Sequence, residues 1–312
     1  MNIIVSGGTG FIGRALCEAF SGRGHRVVVL TRRPVEARRL FRVPVTAVEW
    51  DPREGGAWEQ SLEGADAVIN LAGAPIAEER WTESRKHLLT YSRVVPTRLL
   101  VEAMSRRSSK PRLLVSASGI GYYGASDDRM LDERAVNGRG FLAGLSTAWE
   151  SEAMRAEQLG IRVVLMRTGM VLERDGGALP RMLLPFRLFA GGPIMPGTQW
   201  VSWIHRHDLI EMYEWAIRTA EIVGPLNAVA PEPVRMKEFC DVLGKVLHRP
   251  SWIPVPKLAL EVMLGELGTL LTTGQRVSSE KALASGFAFD YPTLEQALRS
   301  ILTGTIDLRK AA

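Results

Sequence analysis

Three glycines near the start of the chain have a spacing that could bring backbone N–H groups to an anionic ligand. Gly7, Gly10 and Gly13 follow an apolar run at residues 3–5 and precede a helix-like segment at residues 15–20. In such a unit the first glycine permits a tight turn, the second lets a pyrophosphate approach the backbone, and the third lets the helix pack closely. The helix would then offer unpaired N–H groups and a partial positive charge to the phosphates. A turn without a ligand is the alternative.

The end of the second apolar run carries the next chemical signal. The run at residues 27–30 ends in Thr31, Arg32 and Arg33. No acidic residue follows before Glu36. An acidic residue at this point would bind the ribose hydroxyls of NAD, whereas an arginine accommodates the 2′-phosphate of NADP. The pattern therefore favours NADP, although arginines after a strand are also common on protein surfaces.

Apolar runs alternate with helical patterns along the first two thirds of the chain. This alternation predicts an α/β fold with a doubly wound parallel Rossmann sheet. Strands are predicted at residues 3–5, 27–30, 46–50, 66–71, 112–116, 161–167 and 226–229. Helices are predicted at residues 15–20, 82–105, 142–158, 182–189 and 207–218. Pro96 is expected to kink or break the second of these helices.

The amino-acid composition of the chain changes after Leu172, where a region rich in glycine and proline begins. We therefore predict an NADP-binding domain over residues 1–172 and a smaller, mostly helical C-terminal lobe over residues 173–312. Residues 200–230 are expected to return to the first domain. A small-molecule substrate would bind between the glycine turn and the C-terminal lobe.

The composition limits the classes of function. The chain has 312 residues, 46% of them apolar, and a net charge of +5 at pH 7. Its basic residues are scattered and none of their groups alternates with aromatic residues, so we expect no nucleic-acid partner. Cys17 and Cys240 lie far apart in helix-like segments, which argues against a disulfide scaffold or a metal site. We find neither a signal-peptide pattern nor a long apolar run, so we expect a cytoplasmic protein without a membrane partner.

The order of these motifs resembles that of the extended short-chain dehydrogenase/reductases. The glycine turn, the Asn70-Leu71-Ala72-Gly73 strand end and the serine-rich strand end at residues 116–118 occur in the expected sequence. More narrowly, the chain resembles an atypical NADP-binding, epimerase-like branch described as nucleoside-diphosphate-sugar epimerases or as cell-division inhibitors. The motifs that carry this resemblance lie at residues 118–124, 148–150, 184–186, 191–193, 203–205, 208–209, 274–277 and 286–287.

The resemblance implies NADP(H) as the cofactor and assigns residues to it. These residues are Gly7, Gly10, Phe11, Ile12, Thr31, Arg32, Leu71, Ala72, Arg93 and Val171. The first four would face the pyrophosphate and the ribose, and the next two the adenosine 2′-phosphate. Leu71 and Ala72 would pass under the adenine-ribose side, and Val171 would lie near the nicotinamide. Arg93 could donate to a phosphate or a ribose, unless it is a solvated helix arginine.

Active members of the wider superfamily use a tyrosine and a lysine four residues later on one helix. The lysine lowers the pKa of the phenol, and the spacing places both side chains on one helix face. None of the five tyrosines in this chain has a lysine at that distance. On the helix expected to carry the pair, the two places are taken by Leu145 and Trp149 or by Ser146 and Glu150, depending on the register.

Other groups are candidates for proton transfer. Ser118 occupies the position that normally binds a substrate carbonyl or hydroxyl, and a buried serine bonded to the backbone is the alternative. Tyr122 or Tyr123 could supply a proton, and we expect at least one of them to pack in the core. We take Ser118 and Tyr122 as the candidate catalytic residues and expect no metal site. Asp208, near His205, is expected to cap a helix or anchor the two lobes.

Two functions follow as alternatives. The first is an NADP(H)-dependent epimerase or oxidoreductase that acts on an unknown carbonyl or sugar-nucleotide-like substrate with a proton donor other than the usual pair. The second is an NADPH-binding regulator or interaction protein without catalysis. The resemblance also suggests a homodimer through the helices at residues 82–105 and 142–158, with a monomer as the alternative.

Overall fold

A computed structural model describes residues 1–304, with the backbone alone at residues 257, 259 and 261. The strands are β1 Asn2–Ser6, β2 Arg26–Thr31, β3 Thr46–Glu49, β4 Ala67–Asn70, β5 Leu113–Gly119, β6 Met130–Leu131, β7 Arg162–Thr168, β8 Met170–Glu173, β9 Gly176–Gly177, β10 Trp200–Val201, β11 Trp203–His205, β12 Gly224–Ala228, β13 Val234–Arg235 and β14 Arg276–Val277. The helices are α1 Phe11–Gly22, α2 Pro34–Leu40, α3 Glu83–Ser105, α4 Phe141–Met154, α5 Leu179–Arg187, α6 Arg206–Arg218, α7 Met236–Leu247, α8 Lys257–Leu264, α9 Leu267–Thr272, α10 Glu280–Ala284 and α11 Leu294–Thr303. Short 3₁₀ turns cover Ala57–Leu62, Ile120–Tyr123 and Arg155–Leu159.

Seven strands form one parallel sheet in the order β12-β7-β5-β4-β1-β2-β3. The predicted α/β fold with a parallel Rossmann sheet is therefore confirmed. The chain builds the sheet outward from β1 in one direction and then, from β4 onward, in the other. The carboxyl ends of β1 and β4 thus form the switch point at which sheets of this kind bind their ligands.

Helices cover both faces of the sheet, which explains why its strands are continuous apolar runs. Ile3 and Val5 of β1 point to one face, where α1 and α6 pack. Ile4 points to the other face, where α3 and α4 pack. Because both faces are buried, the side chains of β1 need no polar alternation, and the strand is recognisable from its composition alone.

Helix α3 runs through Pro96, so the expected break at this residue is wrong, while a kink there stays a prediction. Pro96 cannot donate a backbone hydrogen bond, but its neighbour Thr97 adds one, from its hydroxyl to the carbonyl oxygen of Arg93 at 2.6 Å. Leu89 and Leu100 hold the helix against the core on both sides of the proline. Tertiary packing therefore outweighs the local cost of the proline.

The C-terminal part of the chain is built from short strands and helices around a separate core cluster. Its strands form the small sheets β11-β8-β9 and β10-β13, and β14 pairs with β6, which precedes β7 in the sequence. Strand β12, at Gly224–Ala228, belongs instead to the main sheet, beside β7. The proposed division of the chain at residue 172 stays a prediction. Among residues 1–304, we find no helix with both the length and the apolar character needed to cross a lipid bilayer.

Candidate active site

The turn between β1 and α1 requires glycine at two of its three predicted positions. Gly7 has a φ of +70°, and a Cβ atom there would lie 2.6 Å from the carbonyl carbon of Leu71. A Cβ atom on Gly13 would lie 2.3 Å from the carbonyl oxygen of Gly7. Both contacts are with backbone, which has no room to move. These two glycines therefore hold the turn, the end of β4 and the first turn of α1 together.

Gly10 has a different part in the turn, because its backbone does not require glycine. It is the N-cap of α1, is exposed, and has an extended conformation with φ −77°. The nearest contact of a Cβ atom there would be at 3.3 Å. No side chain caps the helix and its first turn holds no acidic residue. A cavity of about 170 Å³ lies beside this turn, lined by Arg14 and Arg206 and also by the carboxylates of Glu18 and Asp175. Arg206 forms an ion pair with Asp175 at 2.6 Å. The helix N-terminus itself keeps N–H donors for an anion, with open space beside them.

Three of the predicted cofactor residues are apolar side chains on one core cluster. Ile12, Leu71 and Val171 are half-buried and pack against this cluster. Leu71 and the buried Ala72 directly follow β4, so they lie at the carboxyl end of a sheet strand, where a ligand of this fold would pass. Ile12 lies in the first turn of α1, and Val171 lies in β8, the strand after β7.

The side chain of Phe11 is directed away from the glycine turn. A Cβ atom on Gly176 would lie 2.3 Å from the Phe11 ring, which shows how closely the ring packs on strand β9. The guanidinium carbon of Arg206 lies 5.2 Å from the ring centroid. Phe11 can therefore offer a phosphate only its backbone, while its ring connects α1 to the C-terminal part of the chain.

The end of β2 presents a free cation. The Arg32 side chain is exposed and makes no hydrogen bond or ion pair with any residue in the described range. Thr31 is half-buried, and its hydroxyl accepts a hydrogen bond from the backbone N–H of Arg33 at 3.2 Å. The pKa of the nearby Asp51 is lowered, mainly by its hydrogen bonds with the Arg53 guanidinium and to a smaller extent by the charge of Arg32. Arg32 is thus free to contact an anionic ligand.

Arg93 is buried with 7% of its surface exposed, so the alternative of a solvated helix arginine is wrong. Its guanidinium donates to the carbonyl oxygens of Leu89 at 3.1 Å and Ala74 at 2.9 Å. Its Nε is buried without a partner. Burial, aided by the charge of Arg85, lowers the pKa of Arg93 to about 10. Among the described residues no carboxylate pairs with this guanidinium, which lies directly behind the end of β4.

Ser118, at the end of β5, is part of a buried charged network. Its hydroxyl donates to the Glu150 carboxylate at 2.6 Å. Arg167 of β7 donates to the same carboxylate through Nε at 2.9 Å and Nη2 at 2.8 Å. All three side chains are buried. The alternative of a serine bonded to the backbone is therefore wrong.

This network also decides the register of α4. Glu150 faces the end of β5, whereas the indole of Trp149 donates to Thr97 of α3 at 2.9 Å. Leu145 packs with Trp149 in a separate apolar cluster between α3 and α4. The helix face that points toward Ser118 thus carries a carboxylate.

The two adjacent tyrosines have different surroundings. Tyr123 is buried, donates to Asn227 at 2.7 Å and accepts from Arg167 at 3.1 Å. Burial raises the pKa of its phenol to about 12. Tyr122 is half-buried, its ring lies 3.5 Å from the guanidinium carbon of Arg167, and its hydroxyl has no hydrogen-bond partner among residues 1–304. Tyr123 is therefore a packing residue, and Tyr122 is the one with a free hydroxyl.

The pairing of Glu150 with Arg167 was not predicted from the sequence. The available signal was an arginine at the end of an otherwise apolar strand and a glutamate on a largely apolar helix. Charged residues are rarely buried alone, so two opposite charges predicted to be buried at the same sheet edge would be expected to pair. The part played by Asn227 had no comparable signal.

A second polar cluster joins α6 to the segment before α11. The Asp208 carboxylate accepts from the backbone N–H groups of Asp290 and Tyr291, each at 3.0 Å. His205 accepts from the N–H of His207 at 3.0 Å, and its ring stacks on Tyr291 at 4.0 Å. Asp208 thus anchors the C-terminal part of the chain to the sheet layer, as expected. His207, Asp208 and Asp290 bring one potential ligand atom each within 4.8 Å of one another, and hydrogen bonds already engage all three side chains.

This cluster leads to a prediction for the pH dependence of stability. Burial lowers the pKa of His205 from 6.5 to about 4, so the unfolded chain takes up its proton first on acidification. The stability contributed by neutral His205 is complete above pH 6.5 and is lost as the pH falls toward 4, by up to about 3 kcal/mol.

We therefore expect His205→Phe to be less stable than the wild type at pH 7.5, by about 1 kcal/mol, because the acceptor for His207 is lost. At pH 4.5 the order should reverse, since phenylalanine keeps the ring contact with Tyr291 and does not titrate. The free energies of unfolding from urea denaturation at the two pH values measure this. An equal difference at both would contradict the assignment.

A parallel sheet with its switch point at β1 and β4, a glycine turn at that point and a serine at the end of β5 define a dinucleotide-binding protein of the extended dehydrogenase/reductase type. The family comparison agrees. The chain belongs to the NAD dependent epimerase/dehydratase family, whose model matches residues 3–227. A second model, a domain of unknown function (DUF1731), matches residues 255–301. The predicted resemblance is thereby confirmed.

Relatives match nearly the whole chain. The epimerase family protein YfhF of Bacillus subtilis is 42% identical over 303 residues, covering 97% of this chain and 98% of that protein. The chloroplastic SDR39U1 homologue of Arabidopsis thaliana is 40% identical over 307 residues, covering 97% and 87%. The crystal structure of human SDR39U1 (isoform 2) with NADPH has a TM-score of 0.87 at 34% identity, covering 98% of this chain and 100% of that one. A nucleoside-diphosphate sugar epimerase from Corynebacterium glutamicum has a TM-score of 0.78 at 31% identity, covering 99% and 59%.

Proposed function

We propose that this chain binds NADP(H) along the carboxyl edge of its main sheet and acts as an epimerase or oxidoreductase on a carbonyl or sugar-nucleotide-like substrate. The observation that carries the proposal is the N-terminus of α1, where Gly7 and Gly13 fix the turn while Gly10 leaves donors and space for phosphates. The NADPH in the structure of the human relative supports the choice of cofactor.

Each predicted cofactor residue has a part in this proposal. Gly7, Gly10 and the backbone of Phe11 and Ile12 would hold the pyrophosphate. The residues that would hold the rest of the cofactor are Thr31 and Arg32 at the 2′-phosphate, Leu71 and Ala72 at the adenosine, Arg93 at a phosphate or ribose, and Val171 at the nicotinamide. Bound there, the nicotinamide supplies or accepts a hydride.

The protein groups proposed for the chemistry are Ser118 and Tyr122. Ser118 would bind the substrate oxygen, and Tyr122 would exchange a proton with it, because its hydroxyl is the free one of the two tyrosines. The sequence lacks the tyrosine–lysine pair of the wider superfamily. In place of that lysine, we propose the guanidinium of Arg167, which stacks on the Tyr122 ring, as the cation beside this phenol. Cation–aromatic contacts of this kind orient the ring.

A turnover screen tests the proposed activity. Purified protein is given NADPH with carbonyl compounds, and sugar nucleotides with either cofactor form, and both nicotinamide oxidation and epimer formation are followed. We expect turnover with some members and none in Gly10→Asp. If NADPH binds and no member turns over above background, the catalytic part of the proposal fails.

The second candidate function is an NADPH-binding regulator. The observation that favours it is Glu150, which faces Ser118 from α4 but is tied to Arg167 by two hydrogen bonds. On this alternative, NADPH changes the stability or the partner binding of the protein and its nicotinamide is never oxidised. Turnover in the screen would exclude it.

The preference for NADPH depends on Arg32 in this account. We expect Arg32→Ala to weaken NADPH binding by roughly tenfold, about 1.4 kcal/mol, and to leave NADH binding unchanged, because only NADPH carries the 2′-phosphate. Arg26→Ala is the matched control, since Arg26 is an exposed arginine at the other end of the same strand. Equal losses for both cofactors in Arg32→Ala, measured by nicotinamide fluorescence, would contradict the assignment.

A further inference from the structure

The hydroxyl of Ser118 uses its single hydrogen in a bond to the Glu150 carboxylate, at 2.6 Å. No group in the described part of the chain donates a hydrogen bond to the Ser118 oxygen. A serine hydroxyl has one hydrogen and two lone pairs. Ser118 therefore keeps its full capacity to accept hydrogen bonds and has no hydrogen to offer elsewhere.

The buried carboxylate keeps this arrangement in place. Glu150 is 7% exposed and accepts from Ser118 and twice from Arg167. Arg167 is in turn fixed, 2% exposed, by the Tyr123 hydroxyl at 3.1 Å and the Glu133 carbonyl at 3.3 Å. If Ser118 turned its hydrogen toward a ligand, a buried carboxylate would lose a donor that water cannot replace, which is unfavourable.

We propose that Glu150 and Arg167 are positioning residues that hold Ser118 as a hydrogen-bond acceptor, so that the ligand group recognised at this position is a hydroxyl. A ligand hydroxyl can donate its hydrogen to a free lone pair of the Ser118 oxygen. A carbonyl oxygen has no hydrogen to donate, so it would form no hydrogen bond there. The substrate position, which the superfamily pattern leaves open to a carbonyl or a hydroxyl, is thereby narrowed to an alcohol. This inference rests on the proposed function, since it takes the end of β5 as the substrate site.

The double variant Glu150→Leu with Arg167→Met removes the carboxylate that holds the Ser118 hydrogen and leaves no buried charge without a partner. Glu150→Gln would not serve, because Oε1 accepts from both Ser118 and Nε of Arg167, so that an amide oxygen in this place would still accept from Ser118. In the double variant the Ser118 hydrogen is released for a ligand, and a ketone should bind more tightly than it binds to the wild type. A residue with only a structural role would not raise the affinity for the ketone.

The probes are cyclohexanol with cyclohexanone and 1-phenylethanol with acetophenone, titrated by saturation-transfer NMR. Alcohols are added to the NADPH complex and ketones to the NADP⁺ complex, so that no hydride transfer can occur. We expect the wild type to bind the alcohol of at least one pair roughly fivefold more tightly than the ketone. The double variant should lose this preference by binding the ketone more tightly, and Ser118→Ala should lose it by binding the alcohol more weakly. Ser151→Ala, at an exposed residue of α4 next to Glu150 in sequence, should keep the wild-type preference.

Each contrary result overturns the inference. These results are a wild type that binds no alcohol or prefers the ketone, a double variant that keeps the wild-type preference, and a Ser118→Ala variant that keeps it. Ser118→Ala retains the ion pair and provides the test if the double variant does not fold. A fivefold loss of NADPH affinity in the double variant without a change of preference would assign the Ser118 hydroxyl to the cofactor and also overturn the inference. The proposed function is tested separately, by measuring NADPH binding to the wild type before any probe is added. If the wild type binds no NADPH, the proposed function fails, whatever the probes show.

Discussion

Gly10→Asp is expected to weaken NADPH binding by at least a hundredfold, about 2.7 kcal/mol, while the protein remains folded. Gly10 is the N-cap of α1 and has the extended conformation that N-cap residues adopt. Aspartate is a favoured N-cap, so its carboxylate should accept from the first N–H groups of the helix and even stabilise it. The same carboxylate would occupy the place proposed for the pyrophosphate and repel its charge.

This prediction separates loss of binding from loss of fold. Thermal unfolding of Gly10→Asp should match or exceed that of the wild type, whereas the NADPH titration should show the loss. Gly22→Asp adds the same charge at the other end of α1, where a side chain meets nothing within 4 Å, and should bind NADPH normally. Unchanged NADPH affinity in Gly10→Asp would mean that the phosphates do not lie at this turn.

Arg167→Met should be the most destabilising of the single substitutions considered, by about 3–5 kcal/mol. The variant leaves the Glu150 carboxylate buried with only the Ser118 hydroxyl as a donor, and it removes the donor to the Tyr123 hydroxyl. The cost comes from the stranded charge more than from the lost attraction. The double variant Glu150→Leu with Arg167→Met should therefore be more stable than Arg167→Met alone.

Urea denaturation of the single and double variants measures these differences. The matched control is Arg98→Met. Arg98 of α3 is exposed and pairs with Glu152 of α4, and Glu152 keeps a second ion pair with Arg155 when Arg98 is replaced. Exposed pairs contribute about 0–1 kcal/mol, so this control should be nearly neutral. If Arg167→Met costs no more than Arg98→Met, the Glu150 carboxylate is not buried in solution and the account of the Ser118 network is wrong.

The main sheet could be predicted from the sequence because its strands are buried on both faces. Ile3, Ile4 and Val5 all face packed helices, so an uninterrupted apolar run identifies the strand without knowledge of its partners. The requirement for Gly13 is local, because a Cβ atom there would meet Gly7 in the same turn, whereas a Cβ atom on Gly7 would meet the backbone of Leu71 in a distant part of the sequence.

The charged network could not be predicted in the same way, because it depends on the rotation of a helix. Glu150 and Trp149 are neighbours in sequence, and only the packing of α4 on α3 decides which of them faces Ser118. The different surroundings of Tyr122 and Tyr123 have the same origin, because the two side chains leave a 3₁₀ turn in different directions. Such contacts depend on tertiary packing that residue spacing does not determine.

Arg93 shows a further limit of pattern reading. Arg93 and Thr97 lie on the buried face of α3, so that face carries polar residues where an amphipathic pattern would place apolar ones. The loop after β4 explains this burial, because its carbonyl oxygen at Ala74 accepts a hydrogen bond from the guanidinium. A polar residue on a buried face is explained by its partner, and that partner is visible only in the folded structure.

The most direct test of the central claim is a parallel titration of purified, nucleotide-stripped wild-type protein with NADPH and NADH, followed by nicotinamide fluorescence. The open N-terminus of α1 and the free Arg32 side chain predict that NADPH binds at least roughly tenfold more tightly than NADH, about 1.4 kcal/mol. Absence of binding by either nucleotide would contradict the account, because the glycine turn would then have only a structural role.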